Sequence, residues 1–241
     1  MQNEIRSIYT VVAYLTEHCC CLSYTAGKMG ALQYRNKLIK FLETGKKLHF
    51  RRKETVLQTD PSRIEGYYWI TKGYVKVCSY TKSGTERIHY IYGPYDLFPI
   101  GWTFNRPHME VSFVAINDVE VTTKTSDEFN EFIRGEPFIM TEIIHLKLSM
   151  HDQIYNLNLD SAEERVAHKI LTFAFRFGVQ SGDQVTIDLP LTQQEFADSV
   201  RLSRETTSKI LNDFENNGYI IIGRKKMVVY NEKLSTMLAD L

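Results

Sequence analysis

Two helix-start signals stand close together near the end of the chain, and their spacing leaves little freedom. Thr192 followed by Glu195 is a capping box, and Ser203 is a good helix N-cap. The first helix is therefore short, from Gln193 to Ser199, with Phe196 and Val200 facing inward. The second runs from Arg204 to about Asn216 and stops at Asn217-Gly218, a pair suited to a helix C-terminus. Two short helices joined by a turn of three or four residues make a helix-turn-helix.

The second helix has two faces. Thr207, Ile210, Leu211 and Phe214 recur at i, i+3, i+4 and i+7, which predicts a core-facing stripe. Arg204, Glu205, Ser208, Lys209 and Asn212 share the opposite face. Arg and Lys donate to guanine edges and Glu accepts from cytosine. These residues sit in the N-terminal half, the part that a recognition helix inserts into the major groove. Beyond it, Tyr219 to Ile222 and Met227 to Tyr230 read as strands around Gly223-Arg224-Lys225-Lys226. That predicts a hairpin with a cationic tip, suited to phosphate contact as a wing.

The upstream chain changes period twice. From Leu48 to Lys124 it reads as strands and turns. Tyr74 to Ser79 and Arg87 to Ile91 flank Lys82-Ser83-Gly84, Gly93-Pro94 is a breaker, and Val111 to Val121 predicts a strand pair around Asn117-Asp118. Several short strands with regular turns suggest an antiparallel barrel or sandwich. After Ser126 the period becomes helical. Met140, Ile143, Lys147, Met150, Ile154 and Leu157 are spaced as a heptad seam with one charge in it, which fits a helix packed on its own domain or, the favoured reading, a dimer helix with Lys147 setting register. Ser161 with Glu164 caps a further helix through Ala167, Ile170, Leu171 and Phe175, ended by Gly178, and Gln180-Ser181-Gly182-Asp183 reads as a loop. From Lys28 to Lys53 the chain is basic, with Lys28, Arg35, Lys37, Lys40, Lys46, Lys47, Arg51, Arg52 and Lys53 against Glu43 alone. This reads as a solvated helix and its exit loop.

Composition excludes more than it identifies. The 241 residues carry 29 Lys+Arg and 29 Asp+Glu, so no global charge marks a nucleic-acid or membrane partner, and any such patch is local. The four cysteines are too few for a disulfide scaffold. The apolar stretch Ile8 to Leu15 is far shorter than the roughly 20 residues of a bilayer span. A cytoplasmic, reduced protein without a membrane segment is expected.

The stretch Ser203-Arg204-Glu205-Thr206-Thr207-Ser208-Lys209-Ile210-Leu211 resembles the recognition helix of the Crp–Fnr transcription regulators, and Leu191-Thr192-Gln193-Gln194-Glu195-Phe196-Ala197 resembles the helix before it. The likeness covers about 45–241. It includes Gly66-x-x-Trp69-x-x-x-Gly73-x-Val75-x-Val77 and Gly93-x-x-Asp96-Leu97-Phe98. The resemblance implies an α+β fold. An extension (1–30) would precede a double-stranded β-helix, or jelly-roll, sensory barrel (31–134), a dimerisation helix (135–160) and a winged helix-turn-helix (161–241). It implies a homodimer on near-palindromic double-stranded DNA, with RNA polymerase as a partner. Arg204, Glu205, Ser208, Lys209 and Thr192, with Arg224, Lys225 and Lys226 of the wing, would touch DNA.

The departures from that pattern bear on the effector. Arg201 stands where the family's turn usually has Gly, so a left-handed residue is expected there. Cyclic-AMP-binding members carry Gly-Glu and Arg-Ser pairs where this chain has Pro99-Ile100 and Met109-Glu110, with Arg106 nearby as a substitute. A phosphate beside Glu110 without a paired Arg would be costly, so cyclic-nucleotide binding is not expected. Cys19, Cys20, Cys21 and Cys78 match an iron–sulfur cluster in number but not in spacing, so no cluster is expected either. Haem ligation by His18, His89 or His108 stays open. A cupin-like metalloenzyme on the same barrel needs a His-x-His pair, which His89, His108, His145 and His151 do not make. A cyclic-nucleotide module acting on a protein partner would not need the winged helix.

Overall fold

The computed structural model describes residues 28–58, 65–100, 110–136, 159–223 and 226–239, with side chains from Asn36 on. The heptad seam, Cys19 to Cys21, Arg106, Met109, Arg224 and Lys225 lie outside the described residues.

The chain enters through α1 (Lys28–Glu43) and then runs through eight strands: β1 (Lys46–Phe50), β2 (Thr55–Gln58), β3 (Gly66–Lys72), β4 (Val75–Tyr80), β5 (Glu86–Tyr92), β6 (Leu97–Phe98), β7 (Ser112–Ala115) and β8 (Val119–Thr125). They form two antiparallel sheets, ordered β1-β8-β3-β6 and β2-β7-β4-β5. The strand reading of the sequence holds, with one correction. The strands flanking Asn117-Asp118 do not pair with each other, because β7 pairs β2 and β4 while β8 pairs β1 and β3. The turn carries the chain from one sheet to the other. Asn117 Oδ1 accepts from Tyr74 N at 2.8 Å, and Gly73, at φ +87°, lies so close to the Asp118 carbonyl that a Cβ would collide with it.

Inside the barrel Phe98 stacks on Phe113 with centroids 4.9 Å apart, and Tyr68 and Tyr92 pack on Phe98 from other directions. Val56, Ile70, Val75, Val119 and Val121 complete this core. Each such side chain contributes roughly 1.5–3 kcal/mol by leaving water. Outside the first sheet, α2 (Ser126–Gly135) packs with α1. Phe129 stacks on Tyr67 at 4.1 Å and Phe132 on Phe41 at 4.0 Å, over buried Leu38, Leu42 and Trp69. The basic helix is thus not wholly solvated: Lys37 and Lys40 are exposed, but Leu38 and Leu42 bury against the barrel.

The C-terminal part holds α3 (Ala162–Phe177), β9 (Gly178–Ser181), β10 (Gln184–Ile187), α4 (Gln193–Val200), α5 (Arg204–Asn216), β11 (Ile220–Ile222), β12 (Met227–Tyr230) and α6 (Asn231–Ala239). The Ser161 capping box forms, and Gly178 ends α3 at a point where a Cβ would strike Val185 and the Ala174 carbonyl. Gln180 and Ser181 are strand rather than loop. They pair with Val185 and Gln184, and the turn proper is Gly182-Asp183, with Gly182 at φ +63°. Polar composition disguised a hairpin whose partner strand supplies the burial. The sheet order is β11-β12-β10-β9.

The two parts share a core. Cys78, Ile88, Ile91, Val114 and Ile116 on the outer face of the second sheet pack with Ile170, Phe173 and Phe196 of α3 and α4. Arg176 closes this seam: Nη2 lies 2.7 Å from Asp96 Oδ2, Nη1 donates to the Ile91 carbonyl at 2.8 Å, and the guanidinium lies over Tyr90.

Candidate nucleic-acid interface

The helix-turn-helix is assembled by its caps. Thr192 Oγ1 accepts from Glu195 N at 3.1 Å and Glu195 Oε2 accepts from Thr192 N at 2.9 Å, which starts α4. α4 ends at Arg201 in the left-handed region (φ 56°, ψ 43°), as the resemblance to the family's turn implied. Ser203 Oγ accepts from Thr206 N at 3.0 Å and opens α5. Thr207, Ile210, Leu211 and Phe214 are buried, so the amphipathic reading holds and fixes which face of α5 is left outside.

That outer face is polar and available. Arg204, Glu205, Lys209 and Asn212 are exposed, and Ser208 is half-buried with its hydroxyl 3.5 Å from Gln193 Oε1. Neither Arg204 nor Lys209 is in an ion pair among the described residues. A backbone amide at the start of α5 and the Ser203 hydroxyl hold the Glu205 carboxyl below its usual range, so it is ionised at neutral pH. The face therefore offers two cations, one carboxylate and small hydroxyls, a mixture suited to base edges rather than to a uniform field.

The wing is tied to the same helix. Ile222 pairs with Met227, Gly223 N donates to the Lys226 carbonyl at 2.7 Å, and Ile222 N donates to Glu215 Oε1 of α5 at 2.8 Å. Lys226 is exposed; Arg224 and Lys225 lie outside the described residues.

Sequence reasoning missed what Glu195 does beyond capping. Lys76 Nζ of β4 lies 3.1 Å from Glu195 Oε1 and 2.7 Å from Glu86 Oε2, and Arg52 Nη2 lies 3.3 Å from Glu195 Oε2. Arg52 Nη1 also donates to the Pro190 carbonyl at 3.3 Å. Burial works against the Lys76 charge, yet hydrogen bonds and attraction from Glu86 and Glu195 keep its pKa above the ordinary value. Glu195, despite its burial, is held down by the Thr192 amide and by Lys76. No local signal marks this network: a Lys between Val75 and Val77 reads as the solvent side of a strand. Between the barrel, the start of α4 and the wing lies a cavity of about 640 Å³, lined in part by Arg52, Asp118, Thr192, Gln193 and Lys226.

Cys78 and His89, weighed above as ligands, are among the described barrel residues. Cys78 is buried and its thiol is pushed up to about 12, chiefly by burial. His89 Nε2 is 2.8 Å from Ser79 Oγ. Among the described residues no three His, Cys, Asp or Glu side chains converge as a metal site, and no helix is long and apolar enough to cross a membrane. Ile100 is buried with Leu97 and Phe129 on the side of the barrel that α1 and α2 cover, and Glu110 is exposed.

Comparison with known proteins agrees with this geometry. The cyclic nucleotide-binding domain model matches residues 47–136, and the Crp-like helix-turn-helix domain model matches residues 164–234. The chain is 29% identical over 173 residues to the CRP-like cAMP-activated global transcriptional regulator of Mycobacterium tuberculosis, covering 70% of this chain and 77% of that protein. It is 27% identical over 190 residues to the nitrogen fixation regulation protein FixK of Bradyrhizobium diazoefficiens, covering 77% and 78%. The solved structure of FixK2 from Bradyrhizobium japonicum shares the fold at a TM-score of 0.68, with 19% identity, over 80% of this chain and 96% of that one.

Proposed function

Because the chain belongs to the Crp–Fnr family of DNA-binding transcription regulators, we propose that it works as a homodimer reading a near-palindromic operator. Each protomer inserts α5 into one major groove. Arg204, Glu205 and Lys209 meet base edges with Ser208 assisting, while Thr192 and the wing cations Arg224, Lys225 and Lys226 meet phosphates. The dimer forms through Met140, Ile143, Lys147, Met150, Ile154 and Leu157, and the bound regulator acts on RNA polymerase in the cytoplasm. The observation that carries this reading is the outer face of α5, whose buried stripe leaves Arg204 and Lys209 exposed and without an ion pair among the described residues.

The effector differs from cyclic AMP, although the mycobacterial relative is named for it. Pro99-Ile100 and Met109-Glu110 offer no phosphate-binding pair. Ile100 is part of the apolar layer under α1 and α2, and Phe98, Phe113, Tyr68 and Tyr92 pack the barrel interior with aromatic surface. These features support a barrel that answers a different signal.

The test is a titration of variants on a palindrome recovered from a randomised pool and on a scrambled duplex. Arg204→Ala and Glu205→Ala should each cost about 1–3 kcal/mol on the palindrome and relax preference at one base pair. Lys226→Ala should weaken both duplexes alike and lower the salt dependence. Equal loss on both duplexes for Glu205→Ala would remove it from base readout.

A further inference from the structure

We propose that the barrel turn Arg51-Arg52-Lys53 is itself part of the DNA interface and grips backbone phosphates beside those met by α4 and the wing. The inference rests on the reading of α5 as the helix that enters the groove.

A continuous strip of contacts runs from α5 to this turn. Ser208 on the outer side of α5 reaches Gln193, the first residue of α4. Thr192 caps that helix, and two residues before it the Pro190 carbonyl receives Arg52. The first helix of a helix-turn-helix crosses the sugar–phosphate backbone when the second is in the groove. Phosphates also favour helix N-termini, where amide groups are free to donate. A duplex seated on α5 therefore runs its backbone past Gln193 and Thr192, and the barrel turn stands next along that path. Lys226 of the wing and Arg52 of the turn line the same hollow, together with Thr192, Gln193 and the single carboxylate Asp118.

The placement is firm. Glu195 is held by Arg52 and Lys76 from the barrel and by Thr192 from its own helix. The turn is closed by Glu54 N donating to the Arg51 carbonyl at 3.0 Å and Arg51 N donating to Glu54 Oε2 at 2.8 Å. Consecutive Cα atoms are about 3.8 Å apart, so Arg51 and Lys53 lie within a side chain's length of the same backbone. Both are exposed, and neither is in an ion pair among the described residues. Arg52's charge is already matched by Glu195, so its neighbours are the cations that remain. Lys53 stands at φ 69°, in the region that favours Gly, so this corner carries a charge where a smaller residue would meet less strain. A negatively charged polymer that already lies against α4 is the partner this arrangement fits.

The experiment compares the full-length protein with the Arg51→Ala/Lys53→Ala double variant, leaving Arg52 in place. Affinity is measured by fluorescence anisotropy over a series of KCl concentrations. One duplex is trimmed to the palindrome recovered from a randomised pool, and the other extends it by one helical turn on each side. The expected result is a salt slope reduced by about 0.9 for each phosphate that no longer meets a cation, with unchanged base preference. Arg51→Glu/Lys53→Glu should weaken binding further, with an unchanged melting temperature. An unchanged slope on both duplexes overturns the proposal while leaving the reading of α5 intact. If the slope is unchanged but transcription from a reconstituted promoter falls, the turn serves an acidic protein surface and the proposal is again overturned. If the wild-type protein prefers no duplex over a scrambled one, the failure lies in the DNA-binding reading itself.

Discussion

His168 is buried on α3 beside Lys169, and its position has a consequence for pH dependence. Burial, with a smaller contribution from the Lys169 charge, lowers its pKa from 6.5 to about 4. Lys169 is lowered to about 7, by burial and by the charge of Arg176. Between pH 6.5 and 4 the unfolded chain takes up a proton that folded His168 refuses, so stability falls as pH drops through that window. The full effect is about 3 kcal/mol, because each tenfold change in proton affinity is worth roughly 1.4 kcal/mol. Urea unfolding at a series of pH values should show this slope in the wild type and a shallower one in His168→Gln. Parallel curves for the two proteins would mean that the imidazole is not held neutral by the fold. Arg201 is the other residue under constraint. Its left-handed backbone costs about 1 kcal/mol relative to a relaxed conformation, and the caps on either side hold it there.

Among the elements, α4 has the most demanding position. Its inner face packs Phe196 against Phe173, its start caps through Glu195, and that same carboxylate joins it to β4 and to the turn after β1. Lys76 is buried between two carboxylates and neutralises both in part. Removing the cation leaves Glu86 and Glu195 facing each other in a poorly solvated seam. Lys76→Met should therefore lower stability by about 2–4 kcal/mol, somewhat under the cost of orphaning a fully buried charge because Glu86 stays partly exposed. Adding Glu86→Gln and Glu195→Gln to Lys76→Met should recover much of that loss. The comparison is made by urea unfolding. A Lys76→Met protein as stable as the wild type would mean that the network positions α4 without stabilising it.

At the scale of the whole molecule, the proposed near-palindromic operator would be matched by a two-fold protein. The seam Met140, Ile143, Met150, Ile154 and Leu157 would bury apolar side chains against a second copy, each contributing roughly 1.5–3 kcal/mol. Replacing Ile143 and Ile154 by Asp should give monomers in sedimentation velocity, with loss of tight binding to the full palindrome and retention of weak binding to a half-site. A wild-type protein that sediments as a monomer at micromolar concentration would exclude the seam as a dimer interface. The shared core of Ile88, Ile91, Phe173 and Phe196 packs the barrel directly against α3 and α4.

What the sequence determined by itself is local. The capping boxes at Ser161 and Thr192, the cap at Ser203 and the buried stripe of α5 all depend on residues within a few positions of one another. Such patterns are legible because a helix repeats its contacts at fixed short intervals. The tertiary structure decided the rest. It placed the strands around Asn117-Asp118 in different sheets and made Gln180 and Ser181 a strand. It also buried Leu38 and Leu42 of a helix that reads as solvated. It joined Lys76, Glu86, Arg52 and Glu195, drawn from points as far as 143 residues apart in the chain. A strand's partner and a charge's partner are chosen by packing across the whole chain, and no short window of sequence contains that choice.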